Sequence, residues 1–415
     1  VTVSVLYWSG TATCEIVMSS ASNPPASAVA QGAALLFGDA AHHVQMQLFI
    51  AAVAVVSLAA YAVCAKAIPM AMTTLFERGI YGIDINKTTP EMRKEFGARK
   101  RSGRDLAELK KYVVPESLGI VIGPVSLAAS VVLLLFLGLP VAKANAALTT
   151  MAFGLLLGFV DDVLDVRWRY KIIITMFIAL PLVAAYDAGT SIVVPIQLRE
   201  VLGTHIVHLG PLYLVAVVLI CVFCCNSINI LAGVNGVEVG QSMVLAAAQM
   251  AHNAMYMRRD DELGAAHRVS FAILAPFLAC SYALWRFNKY PSRVFVGDSY
   301  TYLAGITLAV AGISGGDTKT MLLFFTPQLI NFVISIPQLV RIIPCPRHRV
   351  PAWNQKTDKL ENSRNGTLLN AVLLFTGPLH ERTLTTVTLA FCVLCAAFAF
   401  FVRYTLAGMF FEVVE

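Results

Sequence analysis

The chain has 415 residues, of which 57% are hydrophobic and only 13% are charged. A soluble globular protein has about 25% charged residues, because its surface must be solvated. This composition excludes a soluble multidomain protein, a disordered chain and a disulfide-rich secreted module. The net charge of +6 is too small to indicate nucleic acid as a partner. We therefore predict an all-α, polytopic membrane protein that is surrounded mostly by membrane lipid.

Two regions differ along the chain. Residues 1–45 are rich in Ala and Ser, and we predict that they form a poorly ordered N-terminal tail. Residues 46–415 are predicted to form a multi-pass membrane domain, because their apolar runs approach the ~20 residues that a membrane-spanning helix needs. About ten such runs are predicted, at residues 47–69, 119–142, 147–160, 171–187, 211–225, 237–257, 268–286, 299–314, 320–341 and 383–404.

The basic residues are distributed unevenly between the loops. With ten spans, 24 of the 31 Lys and Arg residues fall on one side of the membrane and 7 on the other. Cytosolic loops carry the excess of these residues in membrane proteins. We therefore expect the loops at 70–118 and 342–382 to be cytosolic, and both termini to lie on the opposite, lumenal side.

Two adjacent acids follow the third apolar run. Asp161 and Asp162 come directly after fourteen nearly apolar residues, and Lys171 closes a basic stretch shortly afterwards. Unpaired carboxylates at one helix end repel each other, which favours protonation of one of them. A divalent cation or the basic side chains would remove this repulsion. A solvated interfacial loop is the alternative, and the preceding apolar run disfavours it.

Amides and a third carboxylate occur at the same predicted face. Asn226 and Asn229 are three residues apart, which puts them on one side of a helix, and amide oxygens suit hard cations such as Mg²⁺. Asn235 belongs to an Asn–Gly turn signal. Asp298 opens a later helix, three residues after Phe295. Hydrogen bonding between helices for the amides, and helix N-capping for Asp298, are the alternatives.

Basic side chains follow the ninth predicted span. Arg347, His348 and Arg349 lie on a loop that contains two prolines, and Arg can bind phosphate through two parallel hydrogen bonds. A positive anchor at the membrane surface is the alternative. In the first cytosolic loop, Lys87 and Glu116 flank a basic stretch, which by itself is a weak indication. Together, acids, amides and bases at one membrane face favour phosphoryl transfer, a reaction that depends on positioning and charge neutralisation.

These residues also indicate a family. The segments at 159–171, 226–240, 293–298 and 344–349 resemble, in the same order, motifs of the polyprenyl-phosphate N-acetylhexosamine-1-phosphate transferases. The similarity is closest to the eukaryotic, dolichol-using, tunicamycin-sensitive members. It implies transfer of GlcNAc-1-phosphate from UDP-GlcNAc to dolichyl phosphate, with Mg²⁺ as cofactor, at the cytosolic face of the endoplasmic reticulum membrane. It is also compatible with a homodimer.

The resemblance further implies roles for individual residues. Asn229 and Asp298 are expected to bind Mg²⁺. Asp161 and Asp162 are expected to be required for catalysis, and Lys171 to contact phosphate or hold an Asp. The expected substrate-binding residues are Ile85, Lys87, Glu116, Asn226, Asn235 and Phe295, with Arg347, His348 and Arg349 on the diphosphate and sugar.

The expected mechanism is direct in-line attack by dolichyl phosphate on the β-phosphorus, without a covalent enzyme intermediate. A phosphate monoester has a second pKa near ~6, so the nucleophile is already largely ionised at neutral pH. The charged insertion at residues 88–111 departs from the family pattern, and we interpret it as a solvated face or a contact with anionic lipid.

Two kinds of alternative remain. A secondary transporter would also place ionisable residues in membrane helices, but its binding site would lie near the midplane instead of at one face. Within the family, the bacterial muramoyl-pentapeptide and undecaprenyl-phosphate N-acetylglucosamine transferases are closer alternatives. The Pro-Arg-His-Arg sequence at 346–349 favours an N-acetylglucosamine donor.

Overall fold

The protein is described by a computed structural model that covers residues 28–102, 109–138, 141–187, 189–346 and 349–411. These residues are predominantly helical. The helices are α1 (Ala28–Glu77), α2 (Pro90–Ser102), α3 (Gly119–Phe136), α4 (Val141–Leu164), α5 (Trp168–Ile178), α6 (Leu180–Ala184), α7 (Ile196–Leu202), α8 (Pro211–Ile230), α9 (Val237–Tyr256), α10 (Glu262–Asn288), α11 (Gly297–Ser314), α12 (Thr318–Phe324), α13 (Thr326–Leu339), α14 (Leu368–Thr376), α15 (Glu381–Phe401) and α16 (Ala407–Phe410).

Short antiparallel strand pairs form in three of the connections. They are β1 (Tyr81–Ile83) with β2 (Val113–Pro115), β3 (Ser191–Val193) with β4 (Ile206–His208), and β5 (Ala352–Asn354) with β6 (Lys359–Glu361). In the first pair Gly82 lies opposite Val114. The first and third pairs belong to the loops at 70–118 and 342–382, so both predicted cytosolic loops contain ordered structure.

The prediction of an all-α, polytopic membrane protein is confirmed. In the described part of the chain, six helical segments are long and apolar enough to cross a membrane, and the pair α12–α13, bent by 67°, would make a seventh. The six are His42–Glu77, Gly119–Phe136, Ala142–Leu164, Pro211–Ile230, Glu262–Asn288 and Glu381–Phe410. The count of ten spans stays a prediction, although every predicted run overlaps with a helix or with two successive helices.

Helix α11 is the centre of the packing. Its residues from Ser299 to Ile313 are all buried, and it packs against α3, α4, α8, α9 and α10. A helix that is surrounded by protein does not need the apolarity of a lipid-facing span, so polar residues such as Thr307 are accommodated in its interior. This explains why α11 falls outside the six membrane-length segments.

The contact between α4 and α11 depends on small residues. A side chain on Gly154 would meet Ile306, and a Cβ on Gly158 would lie 2.3 Å from the carbonyl oxygen of Asp298. The Gly-x-x-x-Gly spacing of α4 is therefore a helix-packing feature. It brings the end of α4, with its two acids, next to the start of α11.

The chain divides into two compact units, residues 1–47 and 48–415. Of the first, the structure describes residues 28–47, which are the beginning of α1. The predicted tail of residues 1–45 therefore overlaps with this helix, and its residues 1–27 lie outside the described residues. The second unit contains the rest of α1 and all other elements.

Candidate active site

The carboxylate of Asp298, in the first turn of α11, is held by side chains from two other helices. Its Oδ1 accepts a hydrogen bond from Asn229 Nδ2 of α8 at 2.6 Å. Its Oδ2 lies 3.3 Å from Lys171 Nζ of α5, which also forms an ion pair with Asp161 of α4. Lys171 therefore separates two carboxylates that would otherwise repel each other. The side chain of Asp298 remains 29% exposed.

Asp162 of α4 caps the N-terminus of α11. Its Oδ1 accepts a hydrogen bond from the backbone N–H of Asp298 at 2.6 Å, and its Oδ2 accepts one from Ser299 at 3.1 Å. The helix's own N-cap residue, Val296, makes no side-chain cap. The first amides of a helix need such acceptors, and a negative charge there also interacts favourably with the helix dipole. The N-capping alternative for Asp298 is therefore wrong, because Asp162 fills that role.

The residue before Asp298 must be glycine. Gly297 has a φ of +72°, and a Cβ at this position would lie 2.4 Å from Asp162 Oδ2. A larger residue would be strained in this backbone conformation and would displace the carboxylate that caps α11. The glycine thus allows the cap and the left-handed turn at the same place.

A cavity of about 1150 Å³ opens beside Asp298. Its walls come from the loop that contains β1 and β2, the end of α8, the start of α11, the end of α13 and the chain that follows α13. Among the sequence-predicted site residues, those that line it are Ile85, Glu116, Asn229, Asn235, Phe295, Asp298 and Arg349. The structure therefore brings together residues from the first predicted cytosolic loop, the amide segment, the segment of Phe295 and Asp298, and the basic loop.

The three residues predicted to be catalytic lie behind the cavity wall. Asp161, Asp162 and Lys171 are not among the described residues that line the cavity. Asp161 is buried, with Oδ1 accepting the backbone N–H of Val166 at 2.9 Å and Oδ2 facing Lys171. The carboxylates of both acids are thus occupied by protein partners. Their geometry fits positioning of Asp298 more directly than contact with a substrate.

Asn226, which was predicted to bind substrate, is not among the described residues that line the cavity. Its amide nitrogen donates to the carbonyl oxygen of Val222 at 2.8 Å, and its Oδ1 lies 3.4 Å from the hydroxyl of Tyr302. It lies almost one turn before Asn229 in α8, away from the cavity. The alternative of hydrogen bonding between helices describes Asn226, whereas Asn229 points to the site.

Lys87, which was also predicted to bind substrate, is likewise not among the described residues that line the cavity. Its Nζ forms an ion pair with Asp84 Oδ2 at 2.9 Å and lies 4.8 Å from the ring centre of Tyr290. It lines a small separate pocket with Trp353 and His380. Its ammonium group therefore holds the first loop in place. Two further predicted residues, Arg347 and His348, lie outside the described residues.

A network that the sequence analysis missed fixes the loop between α8 and α9. Glu381 Oε1 accepts hydrogen bonds from Asn86 Nδ2 at 2.9 Å and from the backbone N–H of Asn235 at 2.8 Å. Asn86 Nδ2 also donates to the carbonyl oxygen of Gly233 at 2.8 Å, and Glu238 Oε1 accepts the N–H of Gly233 at 2.9 Å. The sequence indicates this network only through the position of the two acids, because Glu238 and Glu381 each lie in the first turn of an apolar helix.

The basic insertion contributes to the cavity wall. One face of α2, formed by Arg93, Phe96, Gly97 and Lys100, lines the cavity. Lys100 Nζ also donates to the carbonyl oxygen of Tyr81 at 2.6 Å. The interpretation of the insertion as a solvated face or a lipid contact stays a prediction, and one face of α2 in addition lines the cavity. Residues 103–108 of the insertion lie outside the described residues.

Comparison with known proteins identifies the family. The model of glycosyl transferase family 4 matches residues 144–316. Three relatives are named UDP-N-acetylglucosamine–dolichyl-phosphate N-acetylglucosaminephosphotransferase. The protein from Leishmania amazonensis is 42% identical, and the match covers 86% of this chain and 94% of the relative. The protein from Dictyostelium discoideum is 41% identical over 82% of this chain and 85% of the relative. The protein from Schizosaccharomyces pombe is 37% identical over 72% of this chain and 74% of the relative. The chain belongs to this N-acetylglucosaminephosphotransferase family.

The matched region coincides with the network around Asp298. Residues 144–316 run from α4 to the end of α11 and contain all the groups that hold this carboxylate. The loops that form much of the cavity wall, including α2 and the chain around Arg349, lie outside it. The transferase core is thus the α4–α11 packing, and the flanking loops complete the cavity.

Two charged groups on the cavity wall have altered pKa values. The pKa of Glu116 is raised to about 7, mainly by burial and also by the nearby charge of Asp162, while Lys100 acts in the opposite direction. Burial lowers the pKa of Arg349. Its Nη1 is buried and has no hydrogen-bond partner among the described residues. An unpaired guanidinium N–H on a cavity wall suits an anionic ligand, because leaving it unsatisfied is costly.

The donor set at Asp298 fits Mg²⁺. This ion prefers oxygen ligands and is usually bound by one or two carboxylates together with substrate phosphates. Asp298 supplies a partly exposed carboxylate on the cavity wall, and the amide of Asn229 lies directly beside it. An anion-seeking guanidinium, Arg349, lines the same cavity. A metal bound at Asp298 and Asn229 would therefore share the cavity with a phosphate group.

Proposed function

We propose that this protein transfers GlcNAc-1-phosphate from UDP-GlcNAc to dolichyl phosphate and releases UMP. The observation that supports this most is the position of Asp298. Its carboxylate is held by Lys171 and Asn229 at the wall of a cavity of about 1150 Å³, in a chain that belongs to the N-acetylglucosaminephosphotransferase family. This arrangement suits phosphoryl transfer, in which positioning and electrostatic stabilisation provide most of the catalysis.

The proposed location is the endoplasmic reticulum membrane, with the active site cytosolic and both termini lumenal. The cavity wall includes residues from the loops at 70–118 and 342–382, such as Arg93 and Arg349. These two loops also contain most of the Lys and Arg residues of the side expected to be cytosolic. The distribution of charge and the position of the cavity therefore agree.

The donor would be bound by residues around the cavity. Arg349 is suited to the diphosphate, because its buried Nη1 needs an acceptor. Phe295 presents an aromatic ring that can stack on uracil, while Asn235 and the chain at Ile85 offer hydrogen-bonding groups to the nucleoside. A Cβ on Gly82 would contact the side chains of both Glu116 and Phe295, so these two side chains lie close to each other. The dolichyl chain would remain in the membrane.

Mg²⁺ held by Asp298 and Asn229 would neutralise charge on the diphosphate. The residues of the chain fix this site before substrate arrives. Lys171 holds Asp298 from one side, and Asp162 fixes the backbone amide of Asp298 itself. A carboxylate with a locked backbone and a locked side chain has little freedom to lose when substrate binds, which lowers the cost of reaching the reactive geometry.

The proposed chemical step is a single displacement. A phosphate oxygen of dolichyl phosphate attacks the β-phosphorus of UDP-GlcNAc, a new P–O bond forms, and the bond from that phosphorus to the bridging oxygen breaks. The bridging oxygen and its electron pair leave with UMP. The nucleophile is already largely ionised, so a general base is not required. Asp161 and Asp162, which are both engaged by protein groups, then act as positioning residues.

Transfer by purified, detergent-solubilised protein tests the proposal. Labelled UDP-GlcNAc and dolichyl phosphate are supplied with Mg²⁺, with EDTA, or with tunicamycin. We expect a labelled GlcNAc-diphosphate lipid with Mg²⁺ and its loss in the other two conditions. Asp298→Ala should abolish the product, while Asp187→Ala, an exposed acid that pairs with Lys143, should retain it. A folded protein that makes no lipid product from UDP-GlcNAc would overturn the proposal.

A further inference from the structure

A second cluster of ionisable side chains lies far from the cavity. His252 of α9 and His267 of α10 both approach Asp317, in the connection between α11 and α12. The two Nε2 atoms lie 2.9 and 3.0 Å from the same carboxylate oxygen, Oδ2. Both imidazoles are almost completely buried. Since α9 begins beside Asn235 of the cavity, the rise to His252 puts the cluster ~22 Å away along the helix.

The hydrogen bonds of His267 determine which of its two ring nitrogens is protonated. The other nitrogen then directs its lone pair to the carboxylate of Asp317. Its Nδ1 lies 2.9 Å from Asn253 Oδ1, and the amide nitrogen of Asn253 donates to Ser270 Oγ at 2.8 Å. An amide oxygen can only accept, so Nδ1 carries the proton, and Nε2 of the neutral ring presents its lone pair to Asp317. Two acceptors 3.0 Å apart repel each other, and either a second proton on the ring or a cation bound between them removes this repulsion.

His252 gives a second, independent indication. His252 Nε2 and Asp317 Oδ2 are buried and contact each other, and outside this cluster neither atom has a hydrogen-bond partner among the described residues. One carboxylate oxygen thus faces two imidazole nitrogens, an arrangement that a shared cation would satisfy. The remaining nitrogen, His252 Nδ1, lies 2.6 Å from the hydroxyl of Tyr404. Each ring is therefore oriented through Nδ1, which leaves both Nε2 atoms directed to one point.

The surroundings resemble the outer shell of a metal site. Histidines that bind metals usually have their second nitrogen hydrogen-bonded to another group, which fixes the ring. Here Asn253 and Tyr404 provide these contacts. Tyr404 lies on a π-helical turn, Val402–Leu406, a feature that is frequent at functional sites. Tyr256 stacks on the His267 ring, with 5.0 Å between the ring centres.

We propose that His252, His267 and Asp317 bind one divalent transition-metal ion of the zinc type. Two imidazoles and a carboxylate suit zinc, whereas Mg²⁺ prefers oxygen ligands alone. The three ligand atoms lie within 4.8 Å of one another. Ligand atoms of a tetrahedral zinc site are roughly 3.3 Å apart at bond lengths of ~2.05 Å, so the two Nε2–Oδ2 distances of 2.9 and 3.0 Å would lengthen slightly around the ion. Water would complete the coordination.

The ion would connect elements at the end of the protein that is opposite the cavity. The ligands belong to α9, α10 and the α11–α12 connection, and Tyr404 extends the network to the chain that follows α15. An ion that binds the folded state and not the unfolded state stabilises the fold. The site would therefore stabilise the packing around α11 without taking part in the transfer reaction.

Zinc binding by the full-length protein tests this proposal. Protein carrying Asp298→Ala, which removes the carboxylate of the proposed Mg²⁺ site, is stripped with EDTA, incubated with ZnCl₂ and desalted. We expect about one zinc per chain by elemental analysis, and a melting temperature that rises with zinc and falls again with EDTA. Adding Asp317→Asn or His267→Gln should abolish both effects. Adding His205→Gln, at an exposed histidine, should change neither.

A spectroscopic measurement covers the case in which those variants fail to fold. Zinc K-edge X-ray absorption of the Asp298→Ala protein should show two imidazole ligands in a shell of four. A shell of oxygen atoms alone would overturn the proposal. So would folded Asp298→Ala protein that retains no zinc, because the cluster would then be a metal-free ion pair.

Discussion

The backbone N–H of Asp298 donates a hydrogen bond to the carboxylate of Asp162, 2.6 Å away, so an acid of α4 fixes the first turn of α11. The same turn presents the Asp298 side chain to the cavity. We therefore expect the adjacent acids to affect catalysis indirectly, by positioning Asp298. Substitution of Asp162 should accordingly weaken the N-terminal cap of α11.

The first prediction concerns this cap. In Asp162→Asn, one oxygen still accepts an N–H, but the amide nitrogen would face the second N–H, that of Ser299, and repel it. We expect a loss of stability of about 1 kcal/mol, typical of a lost cap, and a larger fall in kcat than in substrate affinity. Thermal unfolding in detergent and initial rates measure the two effects.

The control for the cap is Asp165→Asn. Asp165 follows on the same segment but is exposed to solvent. This variant should retain most of its kcat and its melting temperature. Equal losses in both variants would mean that negative charge near α11 matters, and not the specific hydrogen bonds of Asp162.

The second prediction concerns Gly297. Gly297→Ala introduces strain at φ +72° and a Cβ only 2.4 Å from Asp162 Oδ2. Gly79 has φ +76° but open space around its Cβ position, so Gly79→Ala adds the backbone strain without the clash. We expect a cost of about 1 kcal/mol for Gly79→Ala, and a clearly larger loss, with little remaining activity, for Gly297→Ala. Similar melting temperatures and rates for both variants would contradict the proposed close contact.

The helices were predictable from the sequence because apolar length is a local property. Every apolar run that was predicted to span the membrane overlaps with a helix or with two successive helices. Which helices face lipid is not local, however. Helix α11 is enclosed by other helices over residues 299–313, so its own composition does not determine its surroundings.

The candidate site was predictable where its residues end apolar helices. Asn229 and Asp298 could be assigned to one face, and they are in contact. The hydrogen bond from the Asn235 amide to Glu381 joins residues 146 positions apart, and no local pattern indicates it. The basic residues of α2 suggested a solvated segment, although the spacing of Arg93 and Lys100 puts both on the cavity side.

The third prediction tests α2 with two neighbouring basic residues. Arg93 lines the cavity, whereas Lys94 is exposed. Because the donor carries a negative diphosphate, Arg93→Gln should raise KM for UDP-GlcNAc roughly three- to tenfold, equivalent to ~0.7–1.4 kcal/mol. Lys94→Gln changes the net charge equally and should leave KM unchanged. If both variants raise KM by the same factor, the effect is general electrostatic attraction and not binding at the cavity wall.

The fourth prediction concerns pH. Glu116 has a pKa of about 7, so it is mostly neutral at pH 6 and mostly ionised at pH 8. Its negative charge disfavours an anionic donor, so KM for UDP-GlcNAc should rise several-fold between these pH values. Glu116→Gln keeps the neutral form and should flatten this rise. Glu91→Gln, at an exposed residue of α2, is the control and should keep it. A wild-type slope in Glu116→Gln would assign the titration to another group.

The same group affects stability with a definite sign. The folded protein retains the Glu116 proton up to about pH 7, whereas the unfolded chain loses it near ~4.3. The contribution of Glu116 to the free energy of unfolding is therefore fully present below the unfolded-state pKa and decreases as pH rises towards 7. The difference in melting temperature between Glu116→Gln and wild type should accordingly grow from pH 5 to pH 7. A difference that is constant over this range would contradict the raised pKa.

The fifth prediction separates charge balance from catalysis. Lys171 lies between Asp161 and Asp298, and Lys171→Gln leaves these two carboxylates without their cation. Removing one partner of a buried ion pair costs about 3–5 kcal/mol, so the single variant should be strongly destabilised. In Asp161→Asn/Lys171→Gln the removed positive charge is balanced by a removed negative charge. The double variant should therefore recover much of the melting temperature, with a coupling energy of about 0.5–3 kcal/mol.

Activity should not recover with stability in that double variant. Without Lys171, the Asp298 carboxylate keeps Asn229 as a partner but loses the group that holds its Oδ2. We expect kcat to stay low at saturating Mg²⁺ even though the protein is folded. Asp161→Asn alone keeps the Lys171 contact to Asp298, and it should retain more activity than the double variant. If the double variant regained both melting temperature and kcat, Lys171 would serve only to balance charge, and its proposed role in positioning Asp298 would be wrong.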